Sequence, residues 1–103
     1  MKNIIKDENY IVTHGWMINK LNLSGNNLKV YSIIYGFTQD DKQWFNGSRE
    51  YLAAWCNCTV RGIQKNLNYL VENNLILKRE SSKFNQPCEY KYNREILDEI
   101  NKQ

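Results

Sequence analysis

The residues that most often carry out chemistry are scarce in this chain. Its 103 residues include one histidine and three cysteines. No nucleophile–base pair, phosphate-binding loop or metal motif can be assembled from them, which argues against an enzyme and against a bound cofactor. No apolar run approaches the roughly 20 residues of a transmembrane helix, so a membrane span is excluded. Met1 to Asp7 carries lysines but no apolar stretch and no small-residue cleavage site, so no secretory signal is expected. Repeats and low-complexity runs are absent. At 42% hydrophobic and 24% charged residues the composition is not that of a disordered chain, and its length suits one domain. What remains is a small binding module, expected in the cytoplasm.

The cysteines support that setting. Cys56, Cys58 and Cys88 are odd in number and fit reduced thiols. Cys56-Asn57-Cys58 is C-x-C, whereas structural zinc knuckles use C-x2-C. Cys88 and His14 complete four ligands only on paper, at the wrong spacing. Cys56 and Cys58 read instead as small buried apolar residues.

Net charge is a modest +3, unevenly spread. From Cys58 to Arg94 seven bases (Arg61, Lys65, Lys78, Arg79, Lys83, Lys91, Arg94) face three acids (Glu72, Glu80, Glu89), a net of +4, against −1 for the rest. Clustered positive charge suits a polyanion, although a solvated face of ordinary Lys and Arg looks the same.

Periodicity and cap signals divide the chain into elements. Tyr10 to Thr13 reads as extended, followed by a helix over His14–Leu21 capped by Thr13, with Trp16, Met17 and Leu21 on its apolar side. Ser24 caps a central buried helix carrying Leu28, Val30, Tyr31, Ile33, Ile34 and Phe37. Gln39 to Lys42 is a polar turn, Gln43 to Asn46 a short strand, and Asn46-Gly47 turns the chain. Ser48 caps a helix over Arg49–Trp55, which Asn57 interrupts. Thr59 caps the next, whose Ile63, Leu67, Leu70 and Val71 form one apolar face and which ends at Asn73-Asn74. Leu75–Ser81 and Cys88–Tyr92 read as strands, and Arg94–Lys102, with Ile96, Leu97 and Ile100, as a last helix.

Two helices joined by a tight turn and followed by a hairpin make a winged helix-turn-helix. The expected fold class is α+β, mainly α. A single domain spans residues 1–103, with the helix-turn-helix at 48–74, the β-hairpin wing at 75–92 and a short C-terminal helix at 94–102.

Within that order the helix after Thr59 carries the chemistry. Burying Ile63, Leu67 and Leu70 leaves Val60, Arg61, Gln64, Lys65 and Asn68 outside. Arg pairs bidentately with guanine, Gln or Asn with adenine, and Lys65 suits a phosphate. No acid lies on the outer face between Thr59 and Tyr69 to repel one. Gly62 weakens the helix by about 1 kcal/mol relative to Ala, which reads as close approach to a DNA backbone, as a packing need or as simple drift. Ser48 and Arg49 open the preceding helix, where an N-terminal N–H and a cation can hold a phosphate. At the wing tip Lys83, Asn85 and Gln86 are candidate DNA contacts, Phe84 a core or sugar contact. Lys78 and Arg79 read equally as contacts or as solvated strand residues.

The spacing Leu52-Ala53, Thr59, Ile63, Leu67, Leu70-Val71-Glu72, Leu75-Ile76 resembles the winged-helix domains of MarR-type regulators. From Tyr10 to Ile76 the chain is similar to a winged-helix family encoded by phages, plasmids and mobile elements of low-GC Gram-positive bacteria. The residues that carry this resemblance are Gly15-Trp16-Met17, Leu23-Ser24-Gly25-Asn26, Tyr31 to Phe37, Gly47-Ser48 and Tyr51-Leu52-Ala53. Members are often replication-initiation or replisome-organiser proteins with this domain N-terminal to a longer chain. The resemblance implies sequence-specific binding of double-stranded DNA, with the contacting helix over Thr59–Tyr69. Asn74 stands where the family usually has Gly. The sequence ends without the second domain that an initiator carries, as expected of a small transcriptional regulator or of a fragment. The alternative is a winged-helix protein-interaction module, a small phage adaptor or anti-host protein that does not itself bind DNA. Ile96, Leu97 and Ile100 would suit a homodimer or a protein partner, or packing on their own domain. No small-molecule effector is indicated.

Overall fold

The helix from Gly25 to Thr38 (α2) organises the molecule, which a computed structural model describes over residues 5–80 and 88–101. Val30, Tyr31, Ile33 and Ile34 are buried on it, as their spacing predicts. Phe37 is the exception, 51% exposed, because it projects beyond the core toward the rings of Phe45 and Tyr51. Ser24 is the N-cap residue, and its carbonyl accepts the Leu28 N–H while its side chain caps nothing. Gly25 follows with φ +55°, a left-handed conformation that favours glycine.

The first helix is shorter than predicted. It covers Gly15–Asn19 (α1), with His14 rather than Thr13 as N-cap. Thr13 is drawn away because its hydroxyl hydrogen-bonds the buried Ser32 hydroxyl at 3.0 Å. Met17 is buried, and the His14 ring stacks on Trp16 and meets the edge of Tyr35, a packing role.

The expected strand at Gln43–Asn46 contracts to a single bridge between Phe45 and Tyr90. A turn precedes it and a helix begins at Arg49, which leaves no length for further pairing. At Gly47 a Cβ would lie 2.5 Å from the buried Phe45 ring, so glycine lets the chain pass over it.

Arg49–Cys56 (α3) and Val60–Glu72 (α4) follow. Both cap predictions hold. Ser48 Oγ accepts the Tyr51 N–H at 3.0 Å, and Thr59 Oγ1 accepts the Gly62 N–H at 3.0 Å. Asn57 makes the turn in the left-handed conformation, φ 50°, while the Cys58 N–H returns to the Ala53 carbonyl. Lys29 Nζ donates to the Trp55 carbonyl near the C-terminus of α3. Cys56 is buried, and its thiol is raised by desolvation; Cys58 is only half-buried. Ile63, Leu67 and Leu70 are fully buried against α2 and α3. Asn66 Nδ2 donates to Asn27 Oδ1 at 2.7 Å, fixing α4 on α2.

Asn74, at φ 60°, redirects the chain into Ile76–Glu80 (β1), which pairs antiparallel with Cys88–Tyr92 (β2) in the register Ile76↔Tyr92, Lys78↔Tyr90 and Glu80↔Cys88. The core gains Tyr90 and Tyr92 from β2. The last helix, Arg94–Asn101 (α5), turns Ile96 and Leu97 inward as half-buried neighbours of the core. Those two residues are therefore spent largely on their own domain. The architecture is mainly helical with a two-stranded hairpin, consistent with a winged helix. Among the described residues no helix is long and apolar enough to cross a membrane.

Candidate nucleic-acid interface

Burial of Ile63, Leu67 and Leu70 rotates the opposite side of α4 to solvent. Arg61, Gln64, Lys65 and Asn68 fall there in one stripe, at i, i+3, i+4 and i+7. Arg61, Lys65 and Asn68 are exposed and Gln64 is half-buried. Val60 departs from the sequence expectation. It is half-buried and packs against the core, because the first turn of α4 lies close to α3.

The side chains of Arg61 and Lys65 form no hydrogen bond or ion pair among the described residues, which leaves both cations available. Gln64 is held instead. Arg49 Nη1 donates to its Oε1 at 2.9 Å, and its Nε2 donates to Asn68 Oδ1 at 3.0 Å. The ladder joins the first residue of α3 to the outer face of α4. Below it the Tyr90 hydroxyl is pushed up by burial and partly drawn back by the Gln64 amide and the Arg49 charge. Ser48 and Thr59, both expected at the DNA, have their hydroxyl oxygens occupied as caps. A Cβ at Gly62 would meet only ordinary contacts with Thr59 and Cys58, so packing does not require glycine there.

The remaining bases of the C-terminal half divide into paired and free. Arg79 bonds Glu89 at 2.9 Å and lies 4.3 Å from the centre of the Trp44 ring. Lys91 and Arg94 both reach the Asp41 carboxylate, and these partners hold its pKa below the ordinary carboxylate value. Lys78 lies on the other face of β1 and lines a cleft of about 330 Å³ with Ser48, Arg49, Gln64 and Tyr90. The sequence left Lys78 and Arg79 equivalent. Strand alternation supplies the signal that separates them, since Lys78 shares the face of core residue Ile76. Lys83, Asn85 and the rest of the wing tip, 81–87, lie outside the described residues.

Arg61, Lys65 and Lys78, whose side chains are unpaired among the described residues, and Arg49, bonded only to the neutral Gln64 amide there, thus border one surface made by α4, the start of α3 and β1. A positive helix face with polar side chains and no acid from Val60 to Tyr69 can accept phosphates at its edges and base edges at its centre.

A family profile described as a helix-turn-helix domain matches residues 21–76, more than half of the chain, and the chain belongs to that family. No curated protein and no solved structure gives a significant match.

Proposed function

We propose that this helix-turn-helix protein binds double-stranded DNA sequence-specifically, with α4 in the major groove, in replication initiation or transcriptional control of a phage, plasmid or mobile element. The observation that carries the reading is the stripe Arg61–Gln64–Lys65–Asn68, whose two cations are unpaired among the described residues. Recognition helices of helix-turn-helix domains dock in this way, with side chains from one face on base edges. Arg61 and Lys65 neutralise phosphates or take acceptors on bases, Arg49 and Lys78 hold the backbone beside the cleft, and the wing residues Lys83 and Asn85 extend the contact. Ser48, Thr59 and Val60 border the same surface as caps and packing residues.

The test is binding to AT-rich duplex DNA at two salt concentrations, beside the double variant Arg61→Ala/Lys65→Ala. Binding that weakens with salt and collapses in the variant supports the reading, since neutralised phosphates release counterions. No binding by the wild type at low salt removes it.

A protein-interaction role is the second reading, and another surface favours it. Tyr10, Val12 and Phe37 are exposed around a cleft of about 460 Å³ that Tyr35, Tyr51 and Trp55 also line. Among the described residues the Trp55 indole N–H is buried without an acceptor. Exposed apolar clusters of this kind mark contact sites. Capture of a specific protein partner that is lost in Phe37→Ser and kept in Arg61→Ala/Lys65→Ala would support this reading over the first.

A further inference from the structure

The Arg49–Gln64–Asn68 ladder has a polarity, set by a group that cannot be reversed. A guanidinium carries only donors. The Gln64 atom 2.9 Å from Arg49 is therefore the amide oxygen. This turns the Gln64 nitrogen toward Asn68, at 3.0 Å, so Asn68 presents its oxygen to Gln64. Asn68 is exposed, and among the described residues its NH2 is wholly unengaged, while its oxygen has one of its two acceptor positions taken. Either amide alone could offer DNA a donor or an acceptor. Linked to Arg49, neither can flip without setting donor against donor or acceptor against acceptor.

We infer that the outer face of α4 is a donor-dominated surface selecting acceptor-rich base edges, guanine foremost, with Arg49 as the positioning residue that sets its polarity. The inference rests on the DNA-binding reading above. Arg61 and Lys65, the other groups on the stripe, are also donors without acceptors. In the major groove guanine offers two acceptors, N7 and O6, and thymine offers O4, whereas cytosine offers the N4 donor. A donor-dominated face therefore favours guanine, accepts thymine and disfavours cytosine on the strand it contacts. The bidentate pairing of Gln with adenine needs both amide atoms. Gln64 is oriented by its bonds to Arg49 through the oxygen and to Asn68 through the nitrogen, which disfavours the bidentate adenine contact expected of a free glutamine.

Selection of binding sites from a random duplex library, read by sequencing, tests this with the full chain. Wild-type sites should favour guanine over cytosine by about tenfold at the positions under α4, the scale of one good bidentate contact. Asn68→Asp keeps one oxygen for the Gln64 N–H and turns the other outward as an acceptor. It should move the preference at one position from guanine to cytosine. Arg49→Met releases Gln64 and should admit adenine at a neighbouring position, and Arg49→Lys, again donor-only, should rescue the wild-type profile. A purely structural role for Arg49 would weaken all sites alike and leave the profile unchanged. Melting curves establish that each variant is folded. A wild-type profile without guanine preference, or an unshifted Asn68→Asp profile, overturns the inference and leaves DNA binding intact. Absence of binding by the wild type removes the DNA reading and this inference together.

Discussion

Thr38 joins the central helix to the hairpin through Tyr92. The Tyr92 N–H donates to the buried Thr38 hydroxyl at 3.2 Å, and the hydroxyl donates to the Ile34 carbonyl at 2.8 Å. Two residues earlier the N–H of Tyr90 pairs with the Phe45 carbonyl. One isolated bridge and one side chain thus occupy the outer edge of β2, an edge that would otherwise be open to pairing with another chain.

Thr38→Val should therefore destabilise the fold by about 1–3 kcal/mol, because the shape is kept while a buried N–H loses its acceptor. Thr38→Ser should recover most of the loss. Chemical denaturation of both variants against wild type measures the difference.

Asp41 makes part of the stability dependent on pH. Its hydrogen bonds to Lys91 and Arg94 lower its pKa below the ordinary 3.8. A carboxylate depressed in the folded state contributes its stability above the unfolded pKa and loses it as the pH falls through the folded one. Asp41→Asn keeps a residue tolerant of the φ of 63° found here. The melting-temperature gap between wild type and this variant should be full at neutral pH and close in acid. A gap that persists unchanged in acid would contradict the role assigned to Asp41.

Stability and DNA affinity should separate on α4. Leu67 is completely buried, and Leu67→Ala should cost about 2–5 kcal/mol of folding free energy. Arg61→Ala and Lys65→Ala should each change stability by less than about 0.5 kcal/mol. Each should also lower the slope of log affinity against log salt by about one. Denaturation curves and salt titrations of the three variants decide the matter.

The left-handed residues give a fourth test. Asn74→Gly should be neutral or stabilising, since glycine adopts φ 60° without a Cβ penalty. Asn57→Val should be destabilising by about 1–2 kcal/mol, because a β-branched residue resists φ 50° between α3 and α4. Thermal melts of both variants check the opposed signs.

Sequence alone determined the helix-turn-helix. Ser48, Asn57 and Thr59 act through hydrogen bonds that close within a few residues, and Ile63, Leu67 and Leu70 announce the buried face by spacing. Such signals are local, so they survive in the linear order. The tertiary structure decided which polar groups stay free. Arg79 finds Glu89 ten residues away, Arg94 finds Asp41 fifty-three away, and Arg49 reaches Gln64 across fifteen. Each pairing depends on strand register or on how one helix sits against another, which no local periodicity encodes. The same packing took Thr13 from its expected cap to Ser32, left Phe37 in solvent and reduced the strand at Phe45 to one bridge. A sequence can show where charges and amides lie on a helix. Only the folded chain shows which are already bonded, because a side chain's partner is fixed by distance in space.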